Sequence, residues 1–140
     1  MVDWKGKMMF EALTIKTTSR IEMIDITEKI AVLVKKHKIE RGLCCLFVPH
    51  TTAGITTNEN ADYTVQLDIN KGLNKLVPAG ENYSHLEGNS DSHIKSTLVG
   101  SSLNVIIKGG RLVLGTWQVI YFCEYDGPRN RSLYIKLIEG

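Results

Sequence analysis

The chain predicts an α+β fold with an antiparallel sheet, and three observations carry that prediction. From Leu103 onward the apolar runs are strand-like: LNVIIK, RLVLG, TWQVIYFCEY and SLYIKLI. Gly109-Gly110 between the first two is a hairpin signal, because paired glycines accept the positive backbone angles of a tight turn. Helical spacing is confined to short stretches, and no internal repeat or glycine-rich nucleotide loop is present in the sequence. At 140 residues the chain matches one domain, 1–140, large enough to bury roughly two thirds of its unfolded surface.

The elements follow in order. Residues 8–27, MMFEALTIKTTSRIEMIDIT, alternate as at Phe10, Ala12 and Thr14 and break near Thr18 to Arg20, which predicts two strands. Asp25 and Glu28 have the spacing of a capping box, Ile26, Ile30, Leu33, Val34 and His37 recur at helical spacing, and Gly42 is read as the stop. GLCCLFVPH is a buried strand that delivers His50 to its end, after which a turn through Thr51 to Gly54 leads into the extended ITTNE. Asn60 or Asp62 caps a second helix whose buried stripe is Val65, Ile69, Leu73 and Leu76, with Pro78 beyond its end. Residues 79–89 are a loop, and Asn89, Ser90 or Asp91 caps a third helix that contains His93, Ile94 and Leu98 and ends at Gly100.

Bulk properties exclude several classes. A hydrophobic content of 43% with 23% charged residues suits a globular protein, and no apolar run approaches the roughly 20 residues that span a bilayer. The start, MVDWKGKMMF, lacks an apolar core of signal-peptide length, so a cytoplasmic location and no membrane partner are expected. A formal charge of +2 argues against general nucleic-acid binding; the basic run Lys35, Lys36, His37, Lys38 is read as a helix C-terminal turn, where cations complement the carbonyl end. Cys44, Cys45 and Cys123 are odd in number and lie in apolar runs, with strand alternation sending Cys44 and Cys45 to opposite faces. They are read as strand residues in a reducing compartment.

The unusual chemistry is concentrated in two polar stretches, PHTTAGITTNEN (Pro49 to Asn60) and YSHLEGNSDSHIK (Tyr83 to Lys95), which hold three of the four histidines. His50, Thr51 and Thr52 offer an imidazole and two hydroxyls that can grip an oxyanion or orient a water; a strand-to-strand turn with capping threonines is the alternative. His85, Glu87 and His93 supply two nitrogens and a carboxylate, which His50 would extend to a three-histidine metal site. A metal-free anion site, with His93 in the first turn of a helix and Lys95 nearby, is equally open. Among Asn58, Glu59, Asn60, Asp62 and Asp68, capping accounts for some, and the rest are candidates for hydrated magnesium or a general base, with Glu59 the preferred carboxylate. Asp126, Arg129 and Arg131 interrupt the last sheet, where an arginine fork suits phosphate or carboxylate; Trp117 is read as core or interface.

PHTTAGITTNEN, His85 and His93 flanking EGN with HIK after it, LGTWQ at Leu114 to Gln118 and EYDGPRNR at Glu124 to Arg131 occur in the order of the YjbQ family, and the chain resembles that family over nearly its whole length. Tyr63-Thr64 is a local departure, at a place where the family often has a proline-containing segment. The resemblance implies an α+β fold with a β-sandwich-like core and about three helices, a homotrimer with sites near subunit boundaries, and the family's alternative label of secondary thiamine-phosphate synthase. That activity joins a hydroxymethylpyrimidine diphosphate to a thiazole phosphate with loss of diphosphate. It implies a phosphorylated metabolite as partner and a divalent metal, zinc or magnesium, as a possible cofactor. On this reading His85 and His93 contact metal or phosphate and His50 joins them or transfers a proton. Glu59 assists catalysis, and Thr51, Thr52, Asn89, Lys95 and Arg129 bind the anion. The usual thiamine-phosphate synthase is a TIM barrel of roughly 200 residues or more, so a shared product would come from an unrelated site. A non-catalytic trimer that binds metal or phosphometabolite is the competing expectation.

Overall fold

A computed structural model describes residues 8–140. The reading of the amino-terminal segment falls largely on residues 1–7, outside the described residues. Among the described residues, eight strands and three helices run in the order β1 (Met8–Lys16), β2 (Glu22–Asp25), α1 (Thr27–Lys36), β3 (Arg41–Phe47), β4 (Ala53–Glu59), α2 (Tyr63–Leu76), α3 (Ser90–Val99), β5 (Ser102–Lys108), β6 (Arg111–Leu112), β7 (Gln118–Glu124) and β8 (Asn130–Glu139). Antiparallel pairing gives a five-stranded sheet, β1-β8-β3-β5-β6, and a three-stranded sheet, β2-β7-β4. The α+β class with a sandwich-like core is therefore observed.

The inward residues of the two sheets explain why they stack. Ile15, Leu46, Val105, Ile107, Leu133, Ile135 and Leu137 from the larger sheet meet Ile55, Ile120 and Phe122 from the smaller, and Ile30, Leu33 and Val34 of α1 close one side. Strand β7 is buried on both faces: Tyr121 and Cys123 point away from that core into a second cluster with Met23 and Tyr125, covered by Ile69 and Leu73 of α2 and Val99 of α3. Cys44 is buried and Cys45 half-buried, as alternation requires. The outer face of the larger sheet presents Phe10, Phe47, Ile106 and Tyr134 at the surface, with the Phe10 and Tyr134 rings 5.6 Å apart.

Several local expectations are corrected. Asp25 serves α1 from outside the capping box, its Oδ1 accepting from the Thr27 amide at 3.0 Å and hydroxyl at 2.6 Å, while Ile26 holds the N-cap position. Helix α1 ends at His37, not Gly42, and the His37 ring meets Glu11 at 2.8 Å. Gly42 belongs to β3, where the Ile138 carbonyl leaves no room for a side chain. Asp62 caps α2, accepting from the Thr64 amide at 2.9 Å, yet no residue of α2 is fully buried and Leu76 is 70% exposed. Of the two readings of Trp117, core or interface, the core one is corrected: the residue is 64% exposed and lies outside both clusters.

Candidate functional site

Helix α3 carries the site and packs with its polar side inward. Its buried residues are Asp91, Ser92, Lys95 and Ser96, while Ile94 and Leu98 are exposed. Ser92 donates its hydroxyl to the Tyr125 carbonyl and Ser96 to that of Ala53, each at 2.6 Å. Asp91 receives Arg20 Nη2 at 3.0 Å and Lys95 Nζ at 3.2 Å, and Lys95 also donates to Asn74 of α2 at 2.7 Å. Burial alone would raise the Asp91 pKa, but the hydrogen bonds from Arg20 and Lys95 outweigh it and hold the carboxyl below its ordinary range. Gly54 lets β4 lie close to the end of α3, since a side chain there would meet the Gly100 carbonyl and Val99.

This docking sets His93 at the edge of an open cleft of about 450 Å³. The turn after β3 contributes Pro49, His50, Thr51 and Thr52; the loop into α3 contributes His85, Glu87 and Asn89; the β7–β8 connection contributes Asp126 and Arg129, and the start of β8 contributes Arg131. The His85 and His93 rings meet edge to face with centroids 5.5 Å apart, and His85 Nε2 is 3.7 Å from Glu87. His50 is held differently: its Nε2 accepts the Ser132 amide at 2.8 Å. Burial and the nearby Arg131 guanidinium push the His50 pKa down.

Both cleft arginines already have anionic partners. Arg131, 5% exposed, donates through Nε to Glu124 at 2.9 Å and through Nη2 to the Thr52 hydroxyl at 2.8 Å. Glu124 is fully buried; desolvation would raise its pKa, yet Arg131 and the Thr17 hydroxyl at 2.8 Å lower it. Arg129 donates to Asp126 Oδ2 at 3.0 Å, and the same oxygen accepts from Asn89 Nδ2 at 2.9 Å. Asn89 Oδ1 is buried without a hydrogen-bond partner, beside the cleft it lines.

The sequence matches the model of the UPF0047 protein YjbQ-like family over residues 11–140. The chain belongs to the YjbQ/UPF0047 family. A UPF0047 protein of Methanocaldococcus jannaschii is 53% identical over 132 residues, covering 94% of this chain and 95% of that protein. YugU of Bacillus subtilis, another UPF0047 protein, is 50% identical over 131 residues, covering 93% and 99%. Among solved structures, a YjbQ/UPF0047 protein of Clostridium acetobutylicum superposes with a TM-score of 0.88 at 47% identity, covering 91% of this chain and 98% of that one. A YjbQ-like protein of unknown function from Sulfolobus solfataricus gives a TM-score of 0.92 at 30% identity, covering 96% and 99%.

Within this YjbQ-family fold the residues singled out from the sequence separate into two groups. His50, Thr51, Thr52, His85, Asn89, His93 and Arg129 all line the cleft. Thr52 is buried, its oxygen turned to Arg131. Lys95 is 1% exposed and bound to Asp91 and Asn74, outside the cleft. Glu59 ends β4 opposite Gln118, roughly 20 Å along the strand from the cleft end. Among the described residues no group of three or more His, Cys, Asp and Glu is close enough to hold a metal ion. Sequence reasoning did not assign Glu124, whose signal is an acid closing an apolar strand run with an arginine opening the next.

Proposed function

We propose that the cleft binds the phosphate of a small phosphorylated metabolite together with a divalent metal held by His85 and His93. The observation that carries this reading is the charge balance. The lining has two guanidiniums, Arg129 and Arg131, and two carboxylates, Glu87 and Asp126, with Glu124 behind Arg131. Fixed charge alone therefore gives a phosphate little net attraction, and a cation on the two imidazoles would supply it. The donors fit in part: two imidazoles on one tetrahedral zinc keep their centroids roughly 5 Å apart, and the observed separation is 5.5 Å. Nitrogen donors favour zinc over magnesium, which prefers oxygen. Solvent and phosphate oxygens would take the remaining positions.

The reaction proposed for this site is the thiamine-phosphate synthase type, in which a pyrimidine methylene loses diphosphate and bonds to the thiazole nitrogen. Bound metal would neutralise charge on the departing diphosphate. Arg129, 54% exposed on its side chain, can turn from Asp126 to a phosphate oxygen, and the exposed Thr51 hydroxyl can join it. Arg131 is fixed and presents a constant positive edge. A non-catalytic binding role is the second reading, favoured by the placement of Glu59, the carboxylate read as a base, far from the cleft.

The test combines zinc content, thermal shift with inorganic phosphate, and product assay with both thiamine precursors, for the parent and His85→Ala. Phosphate at a hundredfold excess over its dissociation constant adds about 2.7 kcal/mol of stability. Zinc and phosphate stabilisation lost together in His85→Ala support the site, and product formation separates transferase from binder. Phosphate stabilisation unchanged without zinc would end the metal part. A homotrimer in the cytoplasm completes the proposal, supported by the exposed Phe10, Phe47, Ile106 and Tyr134 surface. Light scattering that gives the mass of one chain would remove the trimer.

A further inference from the structure

The geometry points to His50 as a fixed hydrogen-bond donor to the bound oxyanion through Nδ1–H, standing outside the metal's ligand set and taking no part as a base. This rests on the phosphate reading above and assigns His50 a role unlike that of His85 and His93.

The argument starts from the sheet. The β3–β8 ladder stops at Phe47 and Tyr134, short of Ser132. Beyond Phe47 the chain turns toward β5, with the Val48 amide donating to the Ser101 carbonyl at 2.8 Å. The Ser132 amide therefore lacks a β3 carbonyl, and the His50 ring supplies the acceptor at 2.8 Å. An accepting ring nitrogen carries no proton, so the single proton of the neutral imidazole lies on Nδ1. Moving it to Nε2 would set N–H against N–H. The same clash meets a ring that gains a proton as a base, and one that frees Nδ1 to bind a metal. The fold itself thus holds the tautomer, and Nδ1–H is what His50 offers a ligand in the cleft it lines. Phosphate oxygens are acceptors, and a permanently protonated Nδ1 suits them.

Two substitutions divide the ring's functions. In His50→Gln the side chain reaches as far as Nε2, keeping an acceptor for Ser132 while losing the Nδ1 donor. In His50→Asn the amide stops at the Nδ1 position, keeping a donor and leaving Ser132 bare. We would record long-range proton–nitrogen spectra of the parent's histidine rings. Zinc content and calorimetric titration with inorganic phosphate would follow for all three proteins. The expected result is a parent His50 protonated at Nδ1 and bare at Nε2 near neutral pH, with zinc content equal in the three proteins. Phosphate affinity falls roughly tenfold in His50→Gln and stays within about threefold in His50→Asn. A proton on Nε2, zinc lost from both variants, or equal phosphate affinity in parent and His50→Gln would overturn the inference. If the parent binds no phosphate, the donor role falls with the function proposed above, while the ring spectrum still decides the tautomer by itself.

Discussion

Helices α1 and α3 are each 10 residues long and are built on opposite principles. α1 turns Ile30, Leu33 and Val34 into the core and leaves Lys35 and Lys36 in water, the pattern expected of an amphipathic helix. α3 buries Asp91, Ser92, Lys95 and Ser96 and leaves Ile94 and Leu98 outside. Apolar packing tolerates small displacements of a helix, whereas hydrogen bonds fix direction and distance. The comparison therefore separates a helix seated by apolar burial from one seated by polar contacts, which fix a functional side chain, His93, against the turn that carries His50.

Changes at three positions test this contrast. The largest effect is expected from Asp91→Ala, which leaves the Lys95 ammonium buried without its carboxylate and costs about 4 kcal/mol in urea unfolding. A loss below about 1 kcal/mol would break the comparison. Acid acts on the same contact by degrees: the folded-state pKa of Asp91 is depressed, so its stabilisation is complete above roughly pH 4 and is lost as pH falls through the folded value. An Asp91→Asn protein should show a shallower acid decline in stability than the parent. Next comes Ile30→Ala in α1, which removes a fully buried side chain and costs roughly 3 kcal/mol while leaving ligand affinity at the cleft unchanged in the folded protein. A matching fall in affinity would mean that α1 also positions the site. The smallest effect belongs to Ser96→Ala, about 1 kcal/mol from the Ala53 carbonyl left without its donor; a crystal structure should show α3 displaced and the His85–His93 contact altered.

The strand half of the fold was legible because its residues serve one demand at a time. LNVIIK and SLYIKLI alternate and Gly109-Gly110 turns, and the structure follows with β5, β6 and β8. The cleft was legible through residue type: His50, His85 and His93 converge with Arg129 because uncommon polar groups in loops gather where strands end. Helix α3 misleads because apolar periodicity identifies the buried face only when burial is apolar. Ile94 and Leu98 form a stripe on paper, but Ser92 and Ser96 find carbonyls and Lys95 finds a carboxylate, so the other face turns inward. Lys95 next to His93 suggested an anion contact, yet the helical turn carries its ammonium toward Asp91 and α2. Gly42 suggested a helix stop, because a sequence does not reveal that a neighbouring carbonyl, and not a turn, excludes a side chain.

Glu124 closes a strand of the three-stranded sheet and Arg131 lies near the start of a strand of the five-stranded sheet. Their ion pair is thus a clasp between the two layers, and its arginine lines the cleft. Parting the layers at this end would leave a buried carboxylate without its guanidinium, a cost that hydrocarbon contacts elsewhere in the sandwich do not carry. The two layers are consequently tied by charge where a ligand would sit. An occupant that touched Arg131 would therefore bear on both layers at once.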